Sequence, residues 1–438
     1  MKDRVVKALR RALPGGAVRK LENGYRKARV QAVSARYGHP ARHLKVIAVT
    51  GTNGKTTTVN FINEILKEAG FKTAMFSTAV IELDGRKKIN DLNATVATTG
   101  KMQRFFRAAK KARVDYVVME FPSHAIDQHK LDTVPVEVAV MTNLTQDHLD
   151  YHKTMDHYAA TKAKLFASEP NYIVLNRDDE WYEYFNQYSA GIHKITYGKH
   201  EDAEAKIDDV KLYRKGTEAF ITIDHQTKLE LATNLPGEFN AYNMVAAATV
   251  AYVLGIKLES IQEGVANLEE IPGRFERVEA DTPYDIVVDY AHTPDALEKI
   301  LKAAKEITKQ RVILVFGACG DRDKMKRPLM GEIAAREADR ILLTDEESYS
   351  EDPHQIRAQI YEGIERTKGG EMKTTEIADR KEAIQKALSI AKKGDIVLIT
   401  GMGHEQFRII GGRREPWNDS DVVRELLKTE APSNDSKK

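Results

Sequence analysis

The stretch Ile47-Ala-Val-Thr-Gly-Thr-Asn-Gly-Lys-Thr-Thr-Thr58 decides the fold of this 438-residue chain. Its apolar start predicts a buried strand, and a helical pattern begins at Lys55. The tight loop between them, Gly51-Thr52-Asn53-Gly54, turns several backbone N–H groups toward a helix N-terminus, where an anion is favoured. Lys55 can reach terminal phosphates, and the Thr56 hydroxyl can bind Mg²⁺. The stretch therefore predicts a site for a nucleotide triphosphate.

The spacing of this loop departs from the common phosphate loop, which has four residues between its first Gly and the Gly-Lys pair. Here position 49 is Val, and only Thr52 and Asn53 separate Gly51 from Gly54. The alternative is an ordinary strand–helix turn with a chance Gly-Lys-Thr. We favour the nucleotide site, because a strand precedes the loop and a helix follows it. That helix carries its apolar residues on one face: Val59, Ile62, Ile65, Leu66 and Ala69.

Composition limits the class of protein. The length leads us to expect two or three domains, and 42% apolar with 30% charged residues suits a soluble chain. A net charge of +2 implies no general affinity for nucleic acid. One cysteine, Cys319, excludes a disulfide framework and a multi-cysteine zinc site. No apolar run approaches the length of a bilayer span, and the N-terminus lacks a signal-peptide core. We expect a cytoplasmic monomer.

The N-terminal segment is strongly basic. Residues 1–45 hold 13 Lys and Arg residues against two acids, Asp3 and Glu22, so their net charge is +11. A short apolar stripe of Val5, Val6, Leu9 and Leu13 runs among the basic residues, and Pro14-Gly15-Gly16 ends it. Such a helix can lie weakly on an anionic membrane surface. We favour the alternative, a helix packed on its own domain with a solvated basic face.

From residue 45 onward, strand-like and helix-like runs alternate, which predicts parallel sheets covered by helices on both faces. The fold class is α/β, with a P-loop-type parallel-sheet ATPase domain followed by a Rossmann-like C-terminal α/β domain. Residues 205–232 resemble short antiparallel strands, which we interpret as an insertion. We expect a basic helical segment over 1–44, the ATP-binding domain over 45–272, the C-terminal domain over 273–428 and a disordered tail over 429–438. The strand-like runs are Tyr116–Met119, Val136–Met141, Tyr172–Leu175, Ile286–Val288, Val312–Phe316, Ile341–Leu343 and Ile396–Ile399.

Three polar side chains fall near the loop in the predicted sheet. Glu120 follows a strand and suits a Mg²⁺ ligand beside the phosphates, although a surface Glu is the alternative. His148 follows the next strand and is a candidate ligand or anion binder. Lys162 shares a helix face with Tyr158, Leu165 and Phe166, and burial there would lower its pKa. A neutral amine can take up carbon dioxide as a carbamate, but the spacing alone favours a lysine that extends to solvent.

A second group of polar residues clusters around predicted strands of the second half: Arg274, Asp289, His292 and Asp321. An Asp at a strand end commonly accepts hydrogen bonds from ribose hydroxyls. The basic residues Lys324, Lys326 and Arg327 could bind carboxylates or phosphates. A solvated charged face is an equally good interpretation of these three.

Taken together, these motifs resemble the Mur ligases, the ATP-dependent amide-bond enzymes of peptidoglycan precursor synthesis. The resemblance covers residues 45–427 and is strongest for the branch that extends UDP-N-acetylmuramoyl-L-alanyl-D-glutamate. The most specific segments are Gly51–Thr57, Asn143–Asp150, Pro272–Arg277, Asp289–Asp295, Gly320–Gly331 and Gly401–Glu405.

The resemblance implies a role for each candidate residue. Catalysis would involve Lys55, His148 and a carbamylated Lys162. The Mg²⁺ ligands would come from Thr56, Glu120, His148 and Lys162. ATP would be held by Gly51, Thr52, Asn53, Gly54, Lys55, Thr56, Thr57, Asn243, Arg274, Asp289 and Asp321. The small-molecule substrates, a muramyl peptide and an amino acid, would contact Thr98, Thr99, Ser123, His292, Gly401 and Glu405.

The implied reaction forms an acyl phosphate on the substrate carboxylate, and the incoming amine then displaces phosphate. Three departures from the family matter. Few residues precede the ATP domain where the family has a domain for the UDP-sugar. Residues 345–350 read Asp-Glu-Glu-Ser-Tyr-Ser where the family usually has Asp-Asn-Pro-Arg, so an Arg that binds diaminopimelate is missing and lysine is favoured. Pro122 and Lys130 stand where Ser and Arg are usual.

Rival interpretations remain open. A folylpolyglutamate synthetase shares the architecture but usually reads Gly-Lys-Gly-Ser where this chain has Gly54-Lys55-Thr56-Thr57. A truncated amidating ligase typically carries a four-cysteine zinc insert, which a single cysteine disfavours. A ligase acting on another peptide or polyglutamate acceptor, and a non-catalytic ATP-binding regulatory protein, are the remaining alternatives.

Overall fold

The computed structural model of the chain describes residues 15–90 and 97–430. The apolar stripe predicted from Val5 to Leu13 lies outside these residues, as does the tail from 431 onward. The described residues form one large sheet, one medium sheet and a small two-stranded sheet. Helices cover both larger sheets, as the alternation of the sequence predicts.

The first sheet has 11 strands in the order β11-β10-β9-β8-β7-β6-β1-β5-β2-β3-β4. β1 lies in its centre between β5 and β6, parallel to both, with Ala48 opposite Met119 on one side and Ala139 on the other. The strands are β1 Lys45–Thr50, β2 Thr73–Phe76, β3 Val80–Leu83, β4 Arg86–Ile89, β5 Tyr116–Glu120, β6 Val136–Met141, β7 Tyr172–Asn176, β8 His193–Gly198, β9 Ala205–Tyr213, β10 Gly216–Ile223 and β11 Thr227–Thr233. Since β1 is covered on both faces, its apolar run is buried from Val46 to Val49.

Helices pack on both faces of this sheet. The first-half helices are α1 Gly15–Arg36, α2 Lys55–Glu68, α3 Thr99–Ala112, α4 Ser123–Asp127, α5 Leu149–His152, α6 Met155–Ala163, α7 Tyr182–Asn186, α8 Glu238–Val253 and α9 Leu258–Ala266. α2 packs against α8 and α9. At Gly264 of α9 an added Cβ would lie 2.4 Å from the Ile65 Cα, so the two helix backbones approach closely. This contact fixes the helix that begins at the phosphate loop.

The antiparallel strands β9–β11 correct one prediction. The sequence indicated an insertion over residues 205–232, but β9 pairs with β8 and thereby extends the first sheet. The three strands are antiparallel to one another, as predicted. Their inward residues, including Ile207, Ile221 and Leu231, join the same apolar core as α2.

The second sheet has six strands in the order β12-β13-β17-β14-β15-β16. The central strands β13, β17, β14 and β15 are parallel, and apolar cores lie on both faces. The strands are β12 Glu276–Arg277, β13 Asp285–Asp289, β14 Val312–Phe316, β15 Arg340–Leu343, β16 Thr374–Glu376 and β17 Ile396–Thr400, and the small sheet holds β18 Phe407–Ile410 and β19 Arg413–Pro416. The helices are α10 Pro294–Ile307, α11 Lys326–Glu337, α12 Pro353–Glu365, α13 Gly370–Lys373, α14 Arg380–Ile390 and α15 Asp419–Glu430.

The sequence predicted a basic helical segment over residues 1–44, with a helix stop at Pro14-Gly15-Gly16. The structure has a helix from Gly15 onward. α1 packs against α3 and against the turn at Leu131–Thr133. Asn23 accepts a hydrogen bond from His129 at 2.6 Å, Gln31 donates to the Asp132 carbonyl at 3.4 Å, and Val30 and Ser34 are buried. Tertiary contacts therefore hold a helix that its first residues disfavour.

Candidate active site

The phosphate loop leaves β1 and enters α2, and two of its residues must be glycine. Gly51 has φ 147° and Gly54 has φ 84°. A Cβ on Gly51 would lie 1.8 Å from Thr142 Oγ1, and one on Gly54 would lie 2.3 Å from Asn243 Oδ1. The structure therefore places Asn243, predicted for the adenine side, directly against the loop at Gly54.

Two lysines converge on the loop. Lys55 Nζ donates to the carbonyls of Gly51 at 3.1 Å and Thr52 at 2.7 Å. Lys162 Nζ donates to the same Gly51 carbonyl at 2.7 Å, and its side chain is buried. Burial lowers the pKa of both amines, and the Lys55 charge lowers that of Lys162 further. Lys162 thus faces the loop, and the expectation from spacing alone, a lysine extending to solvent, is wrong.

Thr56 and Glu120 form the predicted metal side of the loop. Thr56 Oγ1 donates to Glu120 Oε1 at 2.9 Å, and Thr78 holds the carboxylate with its N–H at 2.6 Å and its hydroxyl at 2.8 Å. Arg274 from the second half donates to Thr56 Oγ1 at 3.0 Å. Within residues 15–90 and 97–430, no group of three or more His, Cys, Asp or Glu side chains could hold a metal ion by itself. Thr56 and Glu120 still fit Mg²⁺, which takes one or two protein ligands, substrate phosphates and waters.

Asp147 connects the loop after β6 with the second half. Its carboxylate lies 3.2 Å from His148 Nε2, 3.9 Å from His292 Nε2 and 3.7 Å from Lys326 Nζ. Burial raises the pKa of Asp147, but these neighbours outweigh that effect and hold the pKa well below its usual range. Burial also lowers the pKa of His148, and it lowers that of His292 to about 4, so both imidazoles are neutral at pH 7. The predicted His148 and His292 therefore meet at a carboxylate.

A pocket that opens to solvent adjoins the metal side of the loop, and its empty space, open solvent included, is about 420 Å³. Its lining includes Thr78, Glu120, Ala97 and Lys130. Lys130 Nζ is buried and donates to the Ala97 carbonyl at 2.6 Å. Burial and the nearby Arg29 charge lower its pKa to about 8.

The three residues predicted to hold the acceptor lie within two positions of lining residues in the chain, but they are not part of the lining. Thr98 caps α3 by accepting from the Lys101 N–H at 3.4 Å, and Thr99 is buried at the first turn. Ser123 begins α4, and its Oγ lies 2.8 Å from His152 Nε2. His152 was not predicted. Burial and His124 lower its pKa to about 3, so it is a neutral partner for Ser123 at pH 7.

Two residues predicted for the nucleotide have partners within the second half. Asp289 accepts from the N–H groups of Phe275 and Ala291, each at 2.7 Å, and burial raises its pKa. Asp321 accepts from Ser350 Oγ at 2.7 Å. Hydrogen bonds between these residues and the phosphate loop are absent from the described part of the chain. Of this group, Arg274 alone reaches Thr56.

Segments 345–350 and 401–405 meet at Gly401. A Cβ on Gly401, which has φ 108°, would lie 1.9 Å from Glu346 Oε1. Burial raises the pKa of Glu346 to about 7. Burial and the Glu347 charge raise the pKa of Glu405 to about 7 as well, and Tyr290 donates to Glu405 at 3.4 Å. The end of β17 thus carries a cluster of carboxyl groups.

Side-chain contacts join the two halves, one of them at the loop, and no pattern in the sequence predicted them. Asn53 Nδ2 donates to Asp295 Oδ2 at 2.7 Å, at the first turn of α10. Arg214 of the β9–β10 turn pairs with Asp285 at 2.9 Å. Both pairs join residues far apart in the chain, so spacing could not reveal them.

A phosphate loop that carries Lys55 and Thr56 is a site for a nucleoside triphosphate, and the second α/β half reaches it through Asp295 and Arg274. The model of the Mur ligase middle domain matches residues 49–251, and that of the Mur ligase glutamate ligase domain matches residues 273–403. The chain belongs to the Mur ligase family.

The relatives agree with this assignment. The chain is 39% identical over 396 residues to the UDP-N-acetylmuramoyl-L-alanyl-D-glutamate--2,6-diaminopimelate ligase of Syntrophomonas wolfei, which covers 90% of this chain and 80% of the relative. A solved structure of a ligase with the same name is 33% identical, with a TM-score of 0.59 over 88% of this chain and 78% of that one. The folylpolyglutamate synthase of Mycobacterium tuberculosis has a TM-score of 0.72 over 91% and 95%, but its 19% identity shows the fold alone.

The α/β prediction, with a P-loop-type domain before a Rossmann-like domain, is confirmed. The predicted enzyme class, an ATP-dependent ligase that uses Mg²⁺ and small-molecule substrates, is confirmed by the family. Across the described helices, none has the length and apolarity that crossing a bilayer requires.

Proposed function

We propose that the chain joins the carboxylate of UDP-N-acetylmuramoyl-L-alanyl-D-glutamate to the amine of a diamino acid, with ATP converted to ADP and phosphate. The observation that carries the proposal is the position of Glu120, which lines the cavity and also accepts from Thr56 of the phosphate loop. A carboxylate substrate in the cavity would therefore lie beside the terminal phosphate of ATP on the loop. The names of the relatives support the same acceptor.

The geometry supports a role for each group. A carboxylate oxygen of the acceptor attacks the γ-phosphorus, and ADP leaves. The loop N–H groups and Lys55 would stabilise the charge that develops on the phosphates. The amine then attacks the acyl carbon, loses a proton, and expels phosphate. Bound Mg²⁺ would neutralise phosphate charge, with Thr56 and Glu120 as its protein ligands. The Asn53–Asp295 contact would help exclude water that could hydrolyse the acyl phosphate.

Lys162 fits a carbamate. Its amine is buried beside the Lys55 charge, and its lowered pKa favours the neutral form that reacts with carbon dioxide. The amine nitrogen bonds to the carbon of carbon dioxide and releases a proton. The carbamate is an anion, which Lys55 and a bound Mg²⁺ would attract.

Lys130 would bind the acceptor by pairing with a carboxylate group of that substrate. The buried cation lies in the lining of the cavity, and its one hydrogen bond among the described residues goes to the Ala97 carbonyl. An ammonium has three donors, so two remain for a substrate anion.

The amine preferred by the site would be lysine. The carboxyl groups of Glu346 and Glu405 lie around Gly401, where the incoming amino acid is expected. An acidic lining favours a distal ammonium and disfavours the extra carboxylate of diaminopimelate. Arg274 and Arg414 oppose the raised pKa of Glu405, so cations for the α-carboxylate lie nearby as well.

An assay of amine-dependent ADP release with UDP-muramoyl-dipeptide tests both the proposed acceptor and the proposed preference for lysine. We expect ADP release only when acceptor and amine are both present, with lysine more active than ornithine or diaminopimelate. ADP release with a polyglutamate acceptor instead would refute the acceptor. Activity with diaminopimelate alone would refute the lysine preference and leave the acceptor intact.

A further inference from the structure

Helix α3 presents a basic surface to solvent. Residues 99–113 contain six basic residues and no acidic one. The basic residues are Lys101, Arg104, Arg107, Lys110, Lys111 and Arg113, and all six are exposed. None of their side chains pairs with an acid in the part of the chain that the structure describes. Unneutralised charge at this density on one helix indicates an anionic partner.

Helix α1 packs against α3, so its exposed residues lie near this surface. Its exposed basic residues include Lys20, Lys27, Arg29 and Arg36. Between them runs an exposed apolar stripe at helical spacing: Leu21, Tyr25, Ala28 and Ala32. Leu21 is 57% exposed and Tyr25 is 58% exposed, and they are among the few large apolar side chains that the described residues leave in solvent. The inward side of α1, which includes Val30 and Ser34, is buried and faces the domain.

The combination of basic and apolar side chains favours an anionic bilayer over a nucleic acid as the partner. A helix with exposed apolar residues flanked by Lys and Arg binds the interface of an anionic bilayer. A surface for single-stranded nucleic acid would be a groove with stacking aromatic residues, whereas α1 offers one Tyr on a convex helix. The chain outside residues 1–45 and 99–113 is net negative, so the excess positive charge lies in these two segments.

We propose that α1 and α3 form a docking surface for an anionic lipid bilayer, which holds the enzyme at the membrane surface without spanning it. The proposal does not depend on which acceptor and amine the active site uses. The face lies on the first half of the molecule, and the side chains that carry it are not those placed at the phosphate loop.

Vesicle co-sedimentation tests the surface with the full chain. We expect binding to vesicles of equal parts phosphatidylcholine and phosphatidylglycerol, weakening as NaCl is raised, and no binding to pure phosphatidylcholine. Each Lys or Arg near an anionic surface contributes roughly fivefold in affinity. The triple variant Arg104→Glu, Arg107→Glu and Lys111→Glu should therefore bind at least roughly 100-fold more weakly, with unchanged ADP release on a soluble acceptor.

A matched control carries the same change of charge elsewhere. Lys309, Lys386 and Lys393 are exposed in the second half, and their change to Glu should leave vesicle binding close to that of the parent. The variant Leu21→Ser, Tyr25→Ser keeps the charge and should bind vesicles about tenfold more weakly. Failure to bind anionic vesicles, an equal loss in the control triple, or tighter binding to duplex DNA than to vesicles at the same salt would overturn the proposal.

Discussion

At the scale of single residues, Lys162 is unusual because a lysine side chain is rarely buried. Its side chain is among the largest fully buried ones, yet its amine has one carbonyl partner, Gly51, beside the cation Lys55. Burying an amine without a carboxylate is costly, so the neutral form or a modified form is favoured. The helix pattern predicted that Lys162 shares a face with apolar residues. It could not predict the partner, because Gly51 lies 111 residues away in the chain.

Changing Lys162 to Ala should abolish ligase activity, by at least about a thousandfold, because the charge next to the transferring phosphoryl group is lost. Lys162→Arg should be equally inactive, since a guanidinium stays protonated and cannot form a carbamate. Lys164→Ala is the control, as its exposed amine pairs with Asp127 at 3.6 Å. ADP release at saturating substrates measures the effect. Full activity of Lys162→Ala without bicarbonate would contradict the carbamate role.

Glu351 gives a pH-dependent contribution to stability. Arg327 donates to its two oxygens at 3.0 Å each and, with Lys324, lowers its pKa to about 2 from an ordinary 4.5. A carboxyl with a lowered folded pKa stabilises the fold above its unfolded pKa, and this contribution is lost as pH falls. Glu351→Gln should therefore cost about 2 kcal/mol at pH 7.

The Glu351 difference should hold above pH 4.5 and shrink as pH falls toward 2. Urea unfolding of both proteins across that range measures it. A difference that is constant with pH would indicate packing as its cause.

At the scale of elements, the conformation of the loop at the start of α2 depends on its contact with α8. Gly54 has φ 84° and meets Asn243 of α8, so the loop conformation depends on a helix far along the chain. The sequence identified the loop because glycines and Lys-Thr carry the phosphate chemistry locally. The sequence did not predict that Asn243 packs against the loop, because that contact arises from the packing of α2 against α8.

Gly54→Ala should destroy nucleotide binding, because an added Cβ meets both left-handed strain and the Asn243 side chain. Gly70→Ala, at the other end of the same helix, is the matched control. Gly70 has φ 85° but nothing within 4 Å of an added Cβ, so it carries the strain without the clash. Titration calorimetry with ADP should show no binding to the first variant and near-parental binding to the second. An equal loss of ADP binding in both variants would show that backbone strain, and not the clash with Asn243, causes the effect.

In the whole molecule, the second half closes over the loop. The sequence predicted the two α/β regions well, because buried parallel strands are continuous apolar runs such as Val312–Phe316. It misassigned β9–β11 as an insertion, since a strand's own pattern does not say which edge it joins. It predicted a helical segment before residue 45 but placed a helix stop at Pro14-Gly15-Gly16, whereas α1 begins at Gly15 and is stabilised by its packing against α3.

Closure should depend on the Asn53–Asp295 hydrogen bond at 2.7 Å. Asn53→Ala should lower amide formation about tenfold and raise the ratio of ADP released to amide formed, because water reaches the acyl phosphate. Lys299→Ala removes the other partner of Asp295, an exposed ion pair at 2.9 Å, and serves as the control. Parallel assays of ADP and amide product measure the ratio. A ratio that stays at unity in Asn53→Ala would contradict the closure role.

Isotope transfer tests the central claim, that the acceptor carboxylate is activated as an acyl phosphate at the loop. The acceptor is prepared with oxygen-18 in the reacting carboxylate, and the phosphate released during amide formation is analysed by mass spectrometry. Because that oxygen bonds to phosphorus and leaves with it, the account predicts one labelled oxygen in each phosphate. Amide formed with unlabelled phosphate would contradict the account.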